Sequence, residues 1–103
     1  MIAFTDDTLL ERDSDALFTE LDDFVVIMDL ESGDYLELDV IGAQVWERIA
    51  SPVRFGDLCA GLVAEYAVSD AKCRDDVGKF LEGLIEKNLA QARIQATRDD
   101  VSP

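Results

Sequence analysis

The side chains most able to do chemistry in this sequence are carboxylates in adjacent pairs. The pairs are Asp6-Asp7, Asp22-Asp23, Asp75-Asp76 and Asp99-Asp100. None has the ligand spacing of a calcium-binding loop, where oxygen donors alternate along the chain and a glutamate closes the set. Solvated turns and helix starts explain such pairs better, since a helix dipole favours acids in its first turns. We therefore expect no bound metal and no cofactor.

Nucleophilic catalysis lacks its usual partners. The sequence has no histidine, so neither a Cys-His pair nor a Ser-His-Asp triad can form within this chain. Its two cysteines, Cys59 and Cys73, are not in a C-x-x-C motif and fall on apolar faces of predicted helices. Cysteines of that kind are typically small buried hydrophobes. We predict that the protein is not an enzyme.

The charge is strongly negative and unevenly distributed. Nine bases stand against 23 acids, a net charge of −14. Residues 1–39 contain 13 acids and one base, a net −12, whereas residues 40–103 contain ten acids and eight bases, a net −2. Such a field repels nucleic acid and anionic lipid and attracts a basic peptide or enzyme surface. Solubility alone is the alternative explanation for the acids.

Length and patterning predict one domain with flanking segments. The 103 residues contain no apolar run of membrane-spanning length, and the N-terminus is acidic where a signal peptide is basic. We expect a cytoplasmic protein with no membrane partner. The predicted division is a flexible acidic arm over residues 1–15, with a strand near Thr8 to Glu11, a domain over 16–91, and a tail over 92–103.

Three strands are predicted after the arm. They cover Leu17 to Leu21, Phe24 to Leu30 and Tyr35 to Leu38, and alternation puts Leu36 and Leu38 on one face of the third strand. Asp22-Asp23 forms the first turn. The second turn is ESGD, in which Gly33 can adopt a positive φ.

Three helices follow almost directly. Asp39 is the expected N-cap of the first, and Gly42 lets that helix pass close to the sheet. Pro52 stops it. The second helix is predicted from about Phe55 to Tyr66, and the third from about Asp70 to Lys87. For the third helix, Ser69 is the expected N-cap, and Asn88 suits a left-handed C-terminal turn that folds Leu89 back onto the helix.

The predicted fold is therefore α+β and winged helix-turn-helix-like: a three-stranded antiparallel meander followed by three helices. A winged helix often binds DNA, so a small transcription regulator is an alternative. The third helix opposes this, because its bases are interspersed with a similar number of acids. We expect no nucleic acid partner. An accessory subunit of an enzyme whose catalysis lies on another chain is a third possibility.

The third strand has an outer edge that the meander leaves unpaired. A helix beside such an edge makes a groove, into which an extended peptide can add as a further strand. The short join from Tyr35–Leu38 into the first helix would fix this edge relative to the helices. An exposed edge also permits self-pairing, so the protein is expected to be a monomer or an edge-strand dimer.

The sequence resembles the PqqD-like proteins, the recognition elements for precursors of ribosomally synthesised and post-translationally modified peptides (RiPPs). The resemblance covers about residues 17–91, and its stretch GDYLEL…GAQVW looks more like the stand-alone proteins of lasso-peptide clusters than PqqD itself. Arg54 stands where the family usually has a capping Thr or Ser, and Asn88 replaces a usual Gly. The resemblance rests on VVIMDLESGDYLELDVIGAQVWERI, DLCAGLVAEYAV and DVGKFLEGLIEKNLAQ, with matches at Gly33, Tyr35, Leu38, Gly42, Trp46, Leu58, Asp76, Val77, Phe80, Leu81, Leu84 and Leu89.

The resemblance implies a non-catalytic protein in RiPP biosynthesis, of lasso peptides or a PQQ-like product. It would bind the leader segment of a precursor peptide by strand addition and present it to a modifying enzyme, such as a leader peptidase or a radical enzyme. The leader would lie antiparallel along the third strand, beside the third helix. Carried over by position, the peptide-binding residues are Tyr35, Leu36, Glu37, Leu38, Asp76, Val77, Phe80 and Leu81, with Arg74 near the mouth of the groove.

Overall fold

The computed structural model describes residues 4–22 and 24–94, apart from the side chain of Ile94. The architecture confirms the predicted α+β class, with an antiparallel meander followed by three helices. In chain order the elements are β1 (Thr8–Arg12), β2 (Leu17–Leu21), β3 (Phe24–Met28), β4 (Tyr35–Leu38), α1 (Val40–Arg48), β5 (Val53–Arg54), α2 (Phe55–Tyr66), α3 (Asp70–Glu86) and β6 (Ala90–Ile94).

The meander has the strand order β2-β3-β4, and all its pairs are antiparallel. Its inner face buries Val25, Ile27 and Leu38 against the helices. The turn between β3 and β4 is held by Asp29, whose carboxylate accepts from the Ser32 hydroxyl at 3.0 Å and from the Glu31 N–H at 3.1 Å. The Ser32 hydrogen bond is the largest influence on the pKa of Asp29, which is lowered.

Two turns of the meander need left-handed backbone. Gly33 has φ +80°, as predicted for the second turn, and Asp22 has φ +49° in the first. Asp23, the other residue of the predicted first turn, lies outside the described residues.

The helix ends confirm the predicted capping residues. Asp39 accepts from the N–H of Gly42 at 2.9 Å, and Ser69 accepts from the N–H of Lys72 at 3.2 Å. Arg54 precedes α2 and makes no side-chain cap. At the end of α3, Asn88 has φ +61°, and the N–H of Leu89 donates to Leu84 O at 2.8 Å, so Leu89 folds back and is buried.

A second sheet, with the order β5-β1-β6, was not predicted as a sheet. A strand near Thr8 was expected, and β1 lies there, at the centre of this sheet. Its partners are the two-residue β5 and the C-terminal β6. The sheet crosses the predicted limits of the domain, because β1 lies within the proposed arm and the last three residues of β6 lie within the proposed tail. The division of the chain at residues 15 and 91 stays a prediction.

One core joins both sheets to the helices, and Arg12 lies where they meet. The indole of Trp46 is fully buried and meets the ring of Phe18 edge-on, with 5.4 Å between centroids. The Arg12 guanidinium lies 4.6 Å from the Phe18 centroid and 5.1 Å from that of Trp46, and it donates to Trp46 O at 3.2 Å. The one base among the first 39 residues thus has a structural role.

Candidate functional site

The outer edge of β4 has no strand beside it in the described part of the chain, because β4 ends the order β2-β3-β4. The direction of its backbone groups follows from the register. The N–H of Asp29 donates to Asp34 O at 2.8 Å, one step beyond the pair Met28–Tyr35. Hydrogen-bonded pairs alternate along an antiparallel ladder, so Leu36 turns its N–H and C=O toward β3 and Glu37 turns them toward the open edge.

The join from β4 into α1 places the helix start close to this edge. A Cβ atom at Gly42 would lie only 3.2 Å from the Cβ of Leu38 and 3.6 Å from Phe80 Cζ. Glycine therefore allows α1 to approach both the sheet and α3, as predicted. The cap of Asp39 on the Gly42 N–H fixes the angle at which the chain leaves the strand.

A groove of about 480 Å³ runs between the β4 edge and α3, with the first turns of α1 as its floor. It combines a strand edge that can pair with a backbone and apolar side chains that can hold alternate residues of a bound strand. This combination is the one used in strand addition. The lining residues are Leu36, Glu37, Leu38, Asp39, Ile41, Gly42, Val45, Asp76, Val77 and Phe80.

The groove is acidic as well as apolar. The acidic residues Glu37, Asp39 and Asp76 are among its lining residues, and no Lys or Arg is among them within the described part of the chain. Beside the groove, the ammonium of Lys72 lies 3.1 Å from the Asp76 carboxylate. Both partners of that pair are more than half exposed, so it contributes little to stability and can rearrange.

Six of the nine predicted site residues line the groove. They are Leu36, Glu37, Leu38, Asp76, Val77 and Phe80. Tyr35 lies on β4 but points away from the helices and is 68% exposed. Leu81 is fully buried in the core, one residue past the face of α3 that borders the groove.

Arg74 does not lie at the groove mouth, where it was expected. It lies on the opposite side of the buried stripe of α3, 5.8 Å from the Phe55 ring. Its guanidinium donates to Asp6 at 2.6 Å and to Asp70 at 2.8 Å, and these bonds raise its pKa. The N-terminal segment thus holds this side chain away from the groove.

Four lining residues were not predicted as site residues: Asp39, Ile41, Gly42 and Val45. All belong to α1 or its cap. The signal was present in the short join between β4 and α1, because a helix that begins directly after an edge strand must run beside that edge. Ile41 and Val45 are one turn apart, so they share a helix face.

The cysteines are not placed for reactivity. Cys59 and Cys73 are both buried, and the Sγ of Cys73 lies 3.9 Å from Cys59 O. Burial raises the pKa of Cys59 to about 12, so its thiolate form is disfavoured at neutral pH. In residues 4–22 and 24–94, no three acids or cysteines come together in a metal-binding group. Over the same ranges, no helix has the length and hydropathy to cross a bilayer.

Fold and groove define a winged-helix-like α+β domain with a strand edge open to a peptide. The sequence matches the family of coenzyme PQQ synthesis protein D (PqqD) over residues 25–90, and the chain belongs to that family, as the resemblance indicated. The structure is similar to TbiB1 in complex with the TbiA(β) leader peptide, with a TM-score of 0.68 and 26% identity over 79% of this chain and 94% of that one. Among curated proteins, none matches this sequence.

Proposed function

We propose that this protein binds the leader segment of a ribosomally made precursor peptide by strand addition along β4. It then presents the precursor to a modifying enzyme or leader peptidase in RiPP biosynthesis, of the lasso-peptide or PQQ-like type. The observation that carries the proposal is the free β4 edge, with outward backbone groups at Glu37, facing an apolar wall of α3. The similarity to TbiB1, which is solved with a leader peptide, supports it.

The groove chemistry suggests what kind of leader it accepts. Val77 and Phe80 offer apolar contacts to side chains that point inward from the bound strand. Glu37 and Asp76 favour Lys or Arg at neighbouring positions of the peptide. We therefore expect a leader in which aliphatic or aromatic residues are flanked by bases.

The Lys and Arg side chains of α3 form ion pairs, which weighs against the alternative that the protein is a DNA-binding transcription regulator. Lys72 pairs with Asp76, Arg74 with Asp6 and Asp70, and Lys79 with Asp75, and Lys87, directly after the helix, pairs with Asp29. A DNA-reading helix needs bases free to neutralise phosphates. On this helix each base already faces a carboxylate, and the net charge of the protein is −14.

The outer face of the meander is suited to receive the enzyme. Strand pairing sets Leu17, Met28 and Tyr35 in one row of that face and Leu21 beside Phe24 in another. Leu17 is 53% exposed and Leu21 43%, so this face carries apolar surface that the rest of the domain does not cover. Exposed apolar patches of this kind mark interaction sites.

A bound leader would extend the same face by one strand. Alternate side chains of the leader would enter the groove, and those between them would stand beside Tyr35 and Glu37 on the outer face. An enzyme docked there would contact both this protein and the leader of its substrate. The net −12 of residues 1–39 favours an enzyme surface with an apolar centre and a basic rim, and it opposes a second copy of this chain.

Leader binding is tested by titration. We expect synthetic leader segments, taken from short open reading frames beside this gene, to bind with about micromolar affinity, roughly −8 kcal/mol. Duplex DNA should not bind, and the protein alone should neither cleave nor cyclise the precursor. Calorimetry and mass spectrometry measure these outcomes. Tight DNA binding without peptide binding would favour a regulator, and product from the protein alone would reject the non-catalytic role.

Presentation is tested with the double variant Leu17→Asp/Leu21→Asp. Both side chains lie on β2, the strand farthest from the open edge, so leader affinity and melting temperature should stay within error. Turnover of the precursor by the partner enzyme should fall at least about tenfold, because two carboxylates would enter an apolar interface. Unchanged turnover at limiting protein concentration would exclude this face as the docking surface.

A further inference from the structure

We infer that a small pocket at the corner between α2 and α3 takes one aliphatic side chain of the bound peptide. This side chain belongs to the part of the peptide that extends past the Asp39 end of β4. The inference rests on the proposed function, and it assigns a specificity-determining subsite outside the groove of strand addition.

The pocket has a volume of about 100 Å³ and adjoins the groove through shared lining residues. Ile41, Asp76 and Val77 line both. Tyr66, Val68 and Cys73 line the pocket but not the groove. A peptide that runs along β4 and continues past Asp39 meets this opening next, because Ile41 follows Asp39 by two residues at the start of α1.

The chemistry of the pocket selects a neutral apolar side chain. Cys73, only 5% exposed, lies in the wall, and the partly exposed side chains of Ile41 and Val68 stand at the mouth. Charge is present only where Lys72 pairs with Asp76 at 3.1 Å. Both of these side chains are more than half exposed, so their charges lie toward solvent, and a charged side chain that entered the pocket would lose its hydration without a partner inside.

The size of the pocket limits the occupant to one side chain. Sites for whole small molecules usually measure about 300–1,000 Å³. A volume of about 100 Å³ suits a single branched aliphatic group such as that of Leu, Ile or Val. Alternate-residue pockets of this kind provide the sequence choice in strand addition, whereas the backbone pairing provides sequence-independent affinity.

The position of Val68 depends on the way α2 ends. Ala67 has φ +54°, a left-handed conformation that is uncommon for a residue with a Cβ, and its N–H donates to Val63 O at 3.0 Å. This turn directs the chain from α2 across the corner and leaves the Val68 side chain 36% exposed beside the pocket.

The experiment uses peptides of about 15 residues displayed at random and selected on the full chain, long enough to pair with β4 and extend well past it at ~3.3 Å per residue. We expect selected peptides to share an aliphatic residue at a fixed distance from the β4-pairing segment. Replacing that residue by Ala should weaken binding about tenfold to the parent protein. The same replacement should cost at most about twofold in Val68→Ser, because that variant has already lost the contact.

Leu30→Ser is the matched control, since Leu30 is a still more exposed apolar residue in the turn between β3 and β4. This variant should bind the selected peptide and its alanine-substituted form with the same affinities as the parent protein does. The subsite would be overturned if the selected peptides lose binding to Glu37→Pro, yet the alanine replacement weakens their binding equally to the parent and to Val68→Ser. That result would leave the proposed function intact. A selection that yields no specific peptide would overturn both.

Discussion

Replacing Glu37 by proline is expected to abolish leader binding while leaving the domain folded. The N–H of Glu37 points to the open edge, so a strand that adds there must accept its hydrogen bond. Proline removes the donor, and its ring occupies the space of the incoming carbonyl. We expect the dissociation constant to rise about 100-fold or more, roughly 2.7 kcal/mol. Titration calorimetry measures this change, and circular dichroism checks that the helices are retained.

Two matched variants separate backbone pairing from other effects. Glu37→Ala keeps the N–H and removes only the carboxylate, so binding should weaken by no more than a few-fold. Leu36→Pro removes a donor that faces Ile27 across the ladder, so its main effect should be a lower melting temperature. Should Glu37→Pro bind the leader as tightly as Glu37→Ala does, the peptide does not add to this edge.

Local chemistry explains which parts of the fold could be predicted. Helix α2 was predicted from Phe55 to Tyr66 and has those bounds, because Pro52 and the apolar spacing define it within one short segment. The left-handed Asn88 likewise follows from its own side chain and the apolar Leu89 behind it. Such features depend on residues a few positions apart.

Long-range contacts explain what was missed. Strand β5 has two residues, too few for a periodic pattern, and it exists because Leu9 and Leu10 pair with it from more than 40 positions away. Arg74 was placed near the mouth of the groove by its position in the family resemblance. The structure holds it elsewhere because Asp6, 68 residues earlier in the chain, folds over α3 and pairs with it. A sequence pattern carries no record of such partners.

Truncating Phe80 is expected to weaken leader binding strongly and cost less stability than a core truncation. The ring is only partly buried in the free protein, because one side faces the groove beside Gly42. A bound leader would cover that side, so Phe80→Ala removes an anchor contact from the centre of the interface. We expect a loss of about 2 kcal/mol, roughly thirtyfold in the dissociation constant. Phe80→Leu, which keeps an apolar group in place, should recover a large part of it.

The neighbouring Leu81 provides the comparison that separates binding from folding. Its side chain is fully buried, so Leu81→Ala should lower the free energy of unfolding by about 2–5 kcal/mol. The fraction that remains folded should still bind the leader with nearly the parent affinity, since Leu81 does not line the groove. Titration should therefore show the larger loss of leader binding for Phe80→Ala, and denaturant unfolding should show the larger loss of stability for Leu81→Ala. If Phe80→Ala proves as destabilising as Leu81→Ala while the folded fraction binds normally, Phe80 belongs to the core and the leader is anchored by other residues.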